Sequence, residues 1–247
     1  YTTTAGTSNF RAGVNAGNSI AAVSTVNAGA FNTLVGDEAG TAITTADYNT
    51  AVGYAAGAAV STGVRNTLIG SLTGAALTEG HYNVAVGYGA LDADTKGQSN
   101  VAIGYNALTT QNFTTATDSY NVAVGLGAGS AIAAVGGHIP GRFNTLIGGL
   151  AGDNITTGDS NIIIGHGIDA ASATADGQLN IGGMIFGTGG ASASLIGIGT
   201  DAPATTLHLD SGGAVTTIRI DSDTESSVHF NDQGGSAQAF KIGTSIS

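Results

Sequence analysis

The sequence predicts an all-β protein: a parallel β-solenoid, or β-roll, of about ten 17-residue coils that forms a trimeric fibre, followed by a short β-meander. The main observation is a phrase of the form Asn-x-x-Val/Ile-Gly that returns along the chain, most often after 17 residues. The second is a composition rich in glycine (41 of 247 residues) and poor in charge (9%). A fixed period of this size is typical of stacked repeats, which bury apolar surface only against their neighbours.

Each phrase predicts a short strand that ends in a turn. Clear copies begin at Asn32, Asn49, Asn66, Asn83, Asn100, Asn121, Asn144 and Asn161, and degenerate copies begin at Asn9 and Asn180. The β-branched residues favour a strand, and the closing glycine favours a turn. The longer spacings, such as those from Asn100 to Asn121 and from Asn121 to Asn144, indicate insertions into the basic coil.

The remainder of each period predicts a second strand. An Ala-Gly pair such as Ala56-Gly57 indicates a turn, and an apolar residue then anchors the strand. The anchors are Ile43, Val60, Leu77 and Ile155. Stacked coils would bring the phrase asparagines into register about 4.8 Å apart, where their amides can bond as a ladder. A row of ligand-binding asparagines is the alternative.

The phrase strand predicts self-association. Side chains alternate between the two faces of a strand, so Thr50 and Val52 share one face and Ala51 lies on the other. Both faces are therefore apolar or small, which is typical of a strand buried on both sides. A single coil covers only one face. We expect copies of the same chain to cover the other, as a homotrimer.

Three regions are predicted along the chain. Residues 1–179 form the repeat solenoid shaft, residues 180–205 form a connector that contains glycine and proline, and residues 206–247 form a four-stranded β-meander. The meander strands each read apolar–basic–apolar and centre on His208, Arg219, His229 and Lys241. Because the chain starts at a tyrosine, we expect it to be a segment of a longer protein.

Composition excludes several classes of partner. A net charge of −11 makes nucleic acid and anionic membrane surfaces poor partners. No apolar run approaches the roughly 20 residues of a membrane-spanning helix, so membrane insertion is not expected. The absence of cysteine excludes disulfides and zinc–thiolate sites. We expect no cofactor.

The sequence carries no convincing catalytic or metal-binding motif, so we expect a protein that is not an enzyme. The segment 221–225 alternates oxygen-bearing side chains but lacks the glycine and distant glutamate of a calcium loop. Asp92 and Asp94 are weaker calcium candidates. Asp153 and Asp159 are conceivable as paired carboxylates for cleavage of a polysaccharide, although acids at turns are usually only solvated.

Insertions into a solenoid leave the stack as loops, and loops often carry recognition. Two long intervals predict such loops, one over residues 106–119 and one over 129–142. The candidate receptor-binding residues in these loops are Phe113, His138 and Arg142. The alternative is that these insertions are surface loops of a shaft and bind no receptor.

Aromatic residues recur on both sides of the phrase. One set, Phe31, Tyr48, Tyr82, Tyr120 and Phe143, precedes the asparagine, and the other, Tyr54, Tyr88 and Tyr105, follows the glycine. Stacking between coils is one interpretation. A stripe that binds sugars is the other.

The repeated phrases resemble the arrays of tail-fibre proteins of tailed bacteriophages, which carry Asn-Thr-x-x-Gly-x-x-Ala-Gly as in residues 49–57. Residues 196–203 and 206–209 resemble the segment that precedes the distal part of such fibres. Val-Ala-Ile-Gly at 101–104 is also similar to the head repeats of trimeric autotransporter adhesins, which build a β-roll within a trimer.

The resemblance implies a structural virion fibre that is extracellular and positions or forms a receptor-binding tip. Its partners would be itself, other tail or baseplate proteins, and a host surface glycan or protein. A bacterial trimeric surface adhesin is the first alternative, and a polysaccharide-degrading tailspike is the second. An ice-binding solenoid ranks last because valine at Val84 and Val101 interrupts the threonine row.

Overall fold

The computed structural model describes residues 8–20, 29–133, 141–189, 195–210 and 212, and in these residues the fold is all-β, without a helix. The chain is a parallel β-solenoid of about eight turns in the described residues. Its strands are β1 Phe10–Ala12, β2 Thr33–Val35, β3 Thr50–Val52, β4 Thr67–Ile69, β5 Val84–Val86, β6 Gly97–Gln98, β7 Val101–Ile103, β8 Thr117–Asp118, β9 Val122–Val124, β10 Thr145–Ile147, β11 Ile162–Ile164, β12 Gln178–Ile181, β13 Ile185–Thr188, β14 Leu195–Ile198 and β15 Leu207–Leu209.

The phrase strands stack in one sheet. Its 13 strands follow the order β1-β2-β3-β4-β5-β7-β9-β10-β11-β12-β13-β14-β15. Pairing is parallel and in register from β1 to β12, so that Thr50 lies opposite Thr67 and Thr67 opposite Val84. The register passes through the two long intervals without a slip, because Val101 pairs with Val122 and Val122 with Thr145. The predicted repeat strand is therefore confirmed.

The core lies inside the coils, beneath the middle residue of each strand. These middle residues are at most 1% exposed and are Leu34, Ala51, Leu68, Ala85, Ala102, Ala123, Leu146 and Ile163. The predicted anchors Ile43, Val60, Leu77 and Ile155 fill the opposite side of the same core, again at 1% exposure or less. Alternation of side chains turns the first and third residues of each strand outward, where they are half-buried or exposed.

The predicted second strand is wrong. The anchors lie in a ribbon of turns, in which the Ile43 N–H donates to the Gly40 carbonyl oxygen at 3.1 Å and the Thr41 N–H to the Glu38 carbonyl oxygen at 3.3 Å. Glu38 and Gly40 have φ angles of 61° and 58°, which a strand does not allow. The ribbon still bonds from coil to coil, as when the Gly40 N–H donates to the Ala56 carbonyl oxygen at 2.9 Å. Each basic coil is one strand and one ribbon.

The extra residues of the long coils enter at one point of the repeat. The distance along the chain from the phrase asparagine to the anchor that follows it is the same in a basic coil, from Asn49 to Val60, and in the long coil, from Asn121 to Ile132. Extra residues therefore enter only after the anchor and before the next asparagine. In the coil that begins at Asn100 this stretch contains β8, which pairs in parallel with β6.

The structure corrects the last repeat. Gln178, and not Asn180, occupies the phrase-asparagine position, because Leu179 pairs with Ile162 and Asn180 pairs with Ile163. The interval from Asn161 to Gln178 thus equals that of the regular coils. Asn180 consequently stands in the middle row, where the Asn180 side chain is only half-buried and donates to the Asp169 carbonyl oxygen at 2.8 Å.

Beyond β12 the sheet reverses and continues. β12 pairs antiparallel with β13, β13 pairs antiparallel with β14, and β14 pairs parallel with β15. The predicted connector, 180–205, thus carries strands of the solenoid sheet. The first predicted meander strand is present as β15, whereas the meander strands centred on Arg219, His229 and Lys241 lie outside the described residues.

Candidate functional site

The predicted asparagine ladder runs through the interior. The Asn66 backbone N–H donates to Asn49 Oδ1 at 2.9 Å, and the Asn83 backbone N–H donates to Asn66 Oδ1 at 2.9 Å. The Asn66 amide nitrogen donates to the Gly80 carbonyl oxygen at 2.8 Å, which closes the corner of its own coil. The ladder extends from Asn9 to Asn161 and ends at Gln178, whose N–H donates to Asn161 Oδ1 at 2.8 Å.

Burial excludes the ladder as a ligand site in this chain. The phrase asparagines from Asn32 to Asn161 are at most 1% exposed. Each one accepts a backbone N–H of the next coil, and six of the eight also donate to a carbonyl oxygen of a turn. Such groups are costly to bury unpaired. The row is therefore structural, and the alternative of a ligand-binding row is wrong.

A polar cluster interrupts the core next to the coil that begins at Asn100. Asp94 and Gln111 occupy two successive anchor positions after Leu77, and both are 0% exposed. The Asp94 carboxylate accepts hydrogen bonds from the Gly97 N–H at 2.9 Å, the Phe113 N–H at 3.0 Å and the Gln111 amide at 2.6 Å. Burial raises the pKa of Asp94, and these donors oppose that rise.

The cluster connects to the ladder and holds the insertion. Gln111 Oε1 accepts a hydrogen bond from the Asn121 amide at 2.8 Å. The Phe113 carbonyl oxygen accepts from the Lys96 N–H at 2.9 Å and from Thr95 Oγ1 at 2.9 Å. The start of the inserted segment therefore folds back onto the preceding coil. Asp94 is a structural carboxylate without an assigned metal, since no group of three or more metal-ligating side chains occurs in the described residues.

The exposed aromatic residues before the ladder form one continuous row, which we call the corner row. It consists of the residue that precedes each ladder amide, and every member has a positive φ between 47° and 66°. Its members are Ser8, Phe31, Tyr48, Arg65, Tyr82, Ser99, Tyr120, Phe143, Ser160 and Gly177. Because they share this left-handed conformation and recur once a coil, their side chains leave the solenoid in the same direction.

Stacking between coils is confirmed in the corner row. The rings of Phe31 and Tyr48 lie 4.9 Å apart at 8°, and those of Tyr120 and Phe143 lie 5.9 Å apart at 16°. The guanidinium of Arg65 lies 5.4 Å from the centre of Tyr48 and 5.7 Å from that of Tyr82. These ring faces are directed at neighbours along the row. A sugar that stacked on these particular faces would have to displace those contacts.

The second aromatic set stacks in the same manner, after the phrase glycine. The rings of Tyr88 and Tyr105 lie 5.3 Å apart at 12°. Tyr54, Tyr88 and Tyr105 are each about half-exposed. Exposed aromatic residues therefore flank the solenoid sheet on both sides of its strands.

Two of the three candidate receptor-binding residues, Phe113 and Arg142, are among the described residues, and they differ in exposure. Phe113 is 2% exposed, so the expectation that its loop presents this ring to a receptor is wrong: the ring is packed inside the solenoid. Arg142 lies at the corner, with its guanidinium 3.2 Å from the Asp159 carboxylate and 5.1 Å from the ring centre of Phe143. His138 lies outside the described residues.

The candidate carboxylates are divided between two clusters. Asp159 is bound by Arg142, through both the side chain and the backbone N–H at 2.7 Å. Burial raises the pKa of Asp169, and its hydrogen bond and charge repulsion with Asp153 raise it further. Asp169 also lines a small cavity of about 130 Å³ beside β12 and β13. The weak calcium candidates within residues 221–225 lie outside the described residues.

Comparisons with family models, with curated proteins and with solved structures gave no match. In the described part of the chain, no helix is present that could cross a bilayer. The functional argument therefore depends on the geometry of the solenoid and on the composition of its surfaces.

Proposed function

We propose that the chain is a segment of a trimeric, extracellular fibre of the tailed-bacteriophage type, which holds or forms a receptor-binding tip for host attachment. Its partners are two further copies of itself, the tail or baseplate proteins at one end of the fibre, and a host surface glycan or protein at the other. Its work is mechanical, and no catalytic step is assigned to it.

One observation carries the proposal: over eight successive strands the outward surface of the solenoid sheet is free of charge and made of β-branched side chains, twelve of them valine or isoleucine and four of them threonine. We call this surface the outer face. It consists of Thr33, Val35, Thr50, Val52, Thr67, Ile69, Val84, Val86, Val101, Ile103, Val122, Val124, Thr145, Ile147, Ile162 and Ile164. Ile69, Ile103, Ile147 and Ile162 are 38–43% exposed in the single chain. A flat apolar face of this length is an association surface in a soluble protein.

A second copy of the chain is the best occupant of the outer face. Eight strands at about 4.8 Å give a face roughly 35 Å long, and its β-branched side chains recur at the same interval as those of an identical copy. If copies align in parallel about a common axis, each strand of one outer face would meet the equivalent strand of the next copy. The low charge of the outer face leaves no repulsion to prevent this association.

The test is the mass of the whole chain in sedimentation equilibrium, which we expect to be three times the single-chain mass of 24.0 kDa. Ile69→Arg would place a charge in the outer face, and we expect it to dissociate the trimer. Thr62→Arg is the matched control, because Thr62 is an exposed turn residue of the preceding coil and lies off the sheet.

A monomeric wild-type chain would overturn the proposal, and so would an Ile69→Arg variant that remains trimeric. The bacterial adhesin alternative predicts the same trimer. It is distinguished by the genes around the coding sequence: baseplate genes support a phage fibre, and a membrane anchor encoded downstream in the same reading frame supports an adhesin.

A further inference from the structure

Within the corner row, Ser99 is the short residue that lies between two rings, and we call this position the gap. Arg65 lies between Tyr48 and Tyr82, and Tyr120 stacks on Phe143. Ser99 follows Tyr82 by one coil and precedes Tyr120 by one coil, and its side chain is too short to reach between the rings. Two exposed rings therefore flank an unfilled position of the row.

The height of this gap follows from the stacking of the coils. Two coil spacings of about 4.8 Å place the two ring planes roughly 9.6 Å apart. A planar group midway between them would lie about 4.8 Å from each ring, within the range of about 6 Å over which a cation is attracted to an aromatic face. The φ angles of 59° at Tyr82, 61° at Ser99 and 48° at Tyr120 keep the three side chains directed the same way.

The protein itself shows which group fits such a gap. Two coils earlier, the Arg65 guanidinium occupies the same space between Tyr48 and Tyr82, and its Nη1 also donates to the Tyr82 hydroxyl at 3.3 Å. The Arg65 position and the Ser99 position have the same backbone conformation and the same flanking residue type. The difference is that the protein fills the first gap and leaves the second open.

Exposure and charge favour an external cation at the open gap. Tyr82 and Tyr120 are 52% and 51% exposed, so the gap opens to solvent. Asp118 is exposed two residues before Tyr120, and the whole chain carries a net charge of −11. An anion would be repelled, whereas a cation is attracted both by the ring faces and by the surrounding field.

We propose that Tyr82, Ser99 and Tyr120 form a binding slot for a guanidinium group, such as that of an arginine side chain on a partner protein. The slot lies on the corner row and uses no residue of the outer face.

The experiment follows the ring resonances of Tyr82 and Tyr120 by fluorine NMR of the full chain labelled with 3-fluorotyrosine. The probe is N-acetyl-argininamide. N-acetyl-citrullinamide has nearly the same shape but no charge, and methyl glucoside tests the sugar-stacking alternative. We expect saturable shifts of both tyrosines with the arginine compound, and a response at least about threefold weaker with the two neutral compounds.

Two variants test the position. Ser99→Arg should fill the slot from within, shift both tyrosines in the absence of ligand and abolish the titration. Ser160→Arg adds the same charge to the same row, where Gly177 rather than a second ring lies beyond it, and should titrate like the wild type. Both substitutions are at exposed or half-buried corner positions, and thermal unfolding confirms that each variant is folded.

Three results would overturn the slot: shifts that do not saturate, equal shifts with citrulline or glucoside, or an unchanged titration in Ser99→Arg. A tripeptide with a single arginine between glycines distinguishes the source of the ligand. Tighter binding of the tripeptide than of the amide supports recognition of a protein partner, and weaker binding contradicts it.

Discussion

In most coils a single asparagine satisfies backbone groups in two places. Its Oδ1 accepts an N–H from the next coil, and its amide nitrogen donates to a carbonyl oxygen near the end of its own coil, as Asn83 does with the Gly97 carbonyl oxygen at 2.9 Å. No shorter or longer side chain reaches both partners from the same position. Gln178 shows the limit, because it joins the ladder only at the last rung, where its amide instead bonds carbonyl groups of Ser172 and Ala175.

Asp94 is the one carboxylate placed at a core anchor position among the described residues. Its three bonded donors compensate only part of the loss of water, and burial is the dominant effect on its pKa. A buried ionised group of this kind reduces the stability of the folded chain at neutral pH. Ionisation of Asp94 should therefore change the free energy of unfolding, which can be measured as a function of pH.

We predict that the wild type loses stability, relative to Asp94→Asn, as the pH rises. The unfolded side chain titrates near 3.8 and the folded one at a higher pKa, so the folded state binds the proton more tightly. The resulting stabilisation is complete below 3.8 and is lost as the pH rises through the folded pKa.

Urea unfolding of both proteins between pH 3 and pH 7 measures this difference. Asp118→Asn, which alters an exposed carboxylate near the same corner, is the control and should leave the pH dependence of the wild type unchanged. A constant offset between wild type and Asp94→Asn across the pH range would contradict the prediction.

At the scale of the element, the strand ends where the backbone of one coil touches that of the next. The phrase glycine Gly87 has a φ of 132°, and a Cβ there would overlap the carbonyl oxygen of Gly104. The contact is with backbone, which cannot rotate away. The glycine at this position is therefore required both by its φ and by the close approach of two coils.

We predict that Gly87→Ala destabilises the fold by more than about 3 kcal/mol, because it combines a strained φ with a backbone clash. Gly167→Ala is the matched control: its φ is 61°, and a Cβ there would meet nothing within 4 Å. It should lower stability by only about 1 kcal/mol. Equal losses in the two variants, measured by thermal unfolding, would show that the contact between coils is not responsible.

At the scale of the whole molecule, the solenoid separates uniform from variable surfaces. The outer face repeats with little change, whereas the corner collects the insertions and the corner row. Both long intervals that contain described insertion residues add them at this corner, next to Tyr120 and Phe143. Substitutions and insertions at the corner leave the strand register of the sheet intact. The side chains exposed at the corner can therefore change while the stacking of the coils stays the same.

The sequence predicted the parts that depend on one residue type at a fixed spacing. The ladder and the phrase strands were of this kind. The second strand was not predictable from anchors such as Val60, because an apolar residue at one point does not reveal the positive φ of its neighbours. Gln178 was missed because the position keeps the amide group but changes the residue. Asp94 and Gln111 could have been found by counting one and two regular periods onward from Leu77.

Phe113 illustrates a different limit. Its place in an insertion suggested exposure, yet the N–H groups of the insertion found a buried acceptor in Asp94. Sequence spacing located the extra residues but not the direction in which they fold. The sequence pattern likewise does not predict the stacking of Arg65, because an arginine breaks the series of aromatic residues although its guanidinium can stack on their rings.

The hydrogen bonds between coils all run along the stacking direction, and this has a mechanical consequence. Tension applied to the two ends of one chain acts on the terminal coil first. We therefore expect the coils to unfold one after another and not all at once. Each regular rung would release about 56–61 Å of contour, and the longer rung that begins at Asn121 about 76–83 Å. Optical-tweezer traces should then show unfolding steps whose contour-length increments match the repeat lengths in the sequence. A single cooperative unfolding event would show instead that neighbouring coils resist the force together.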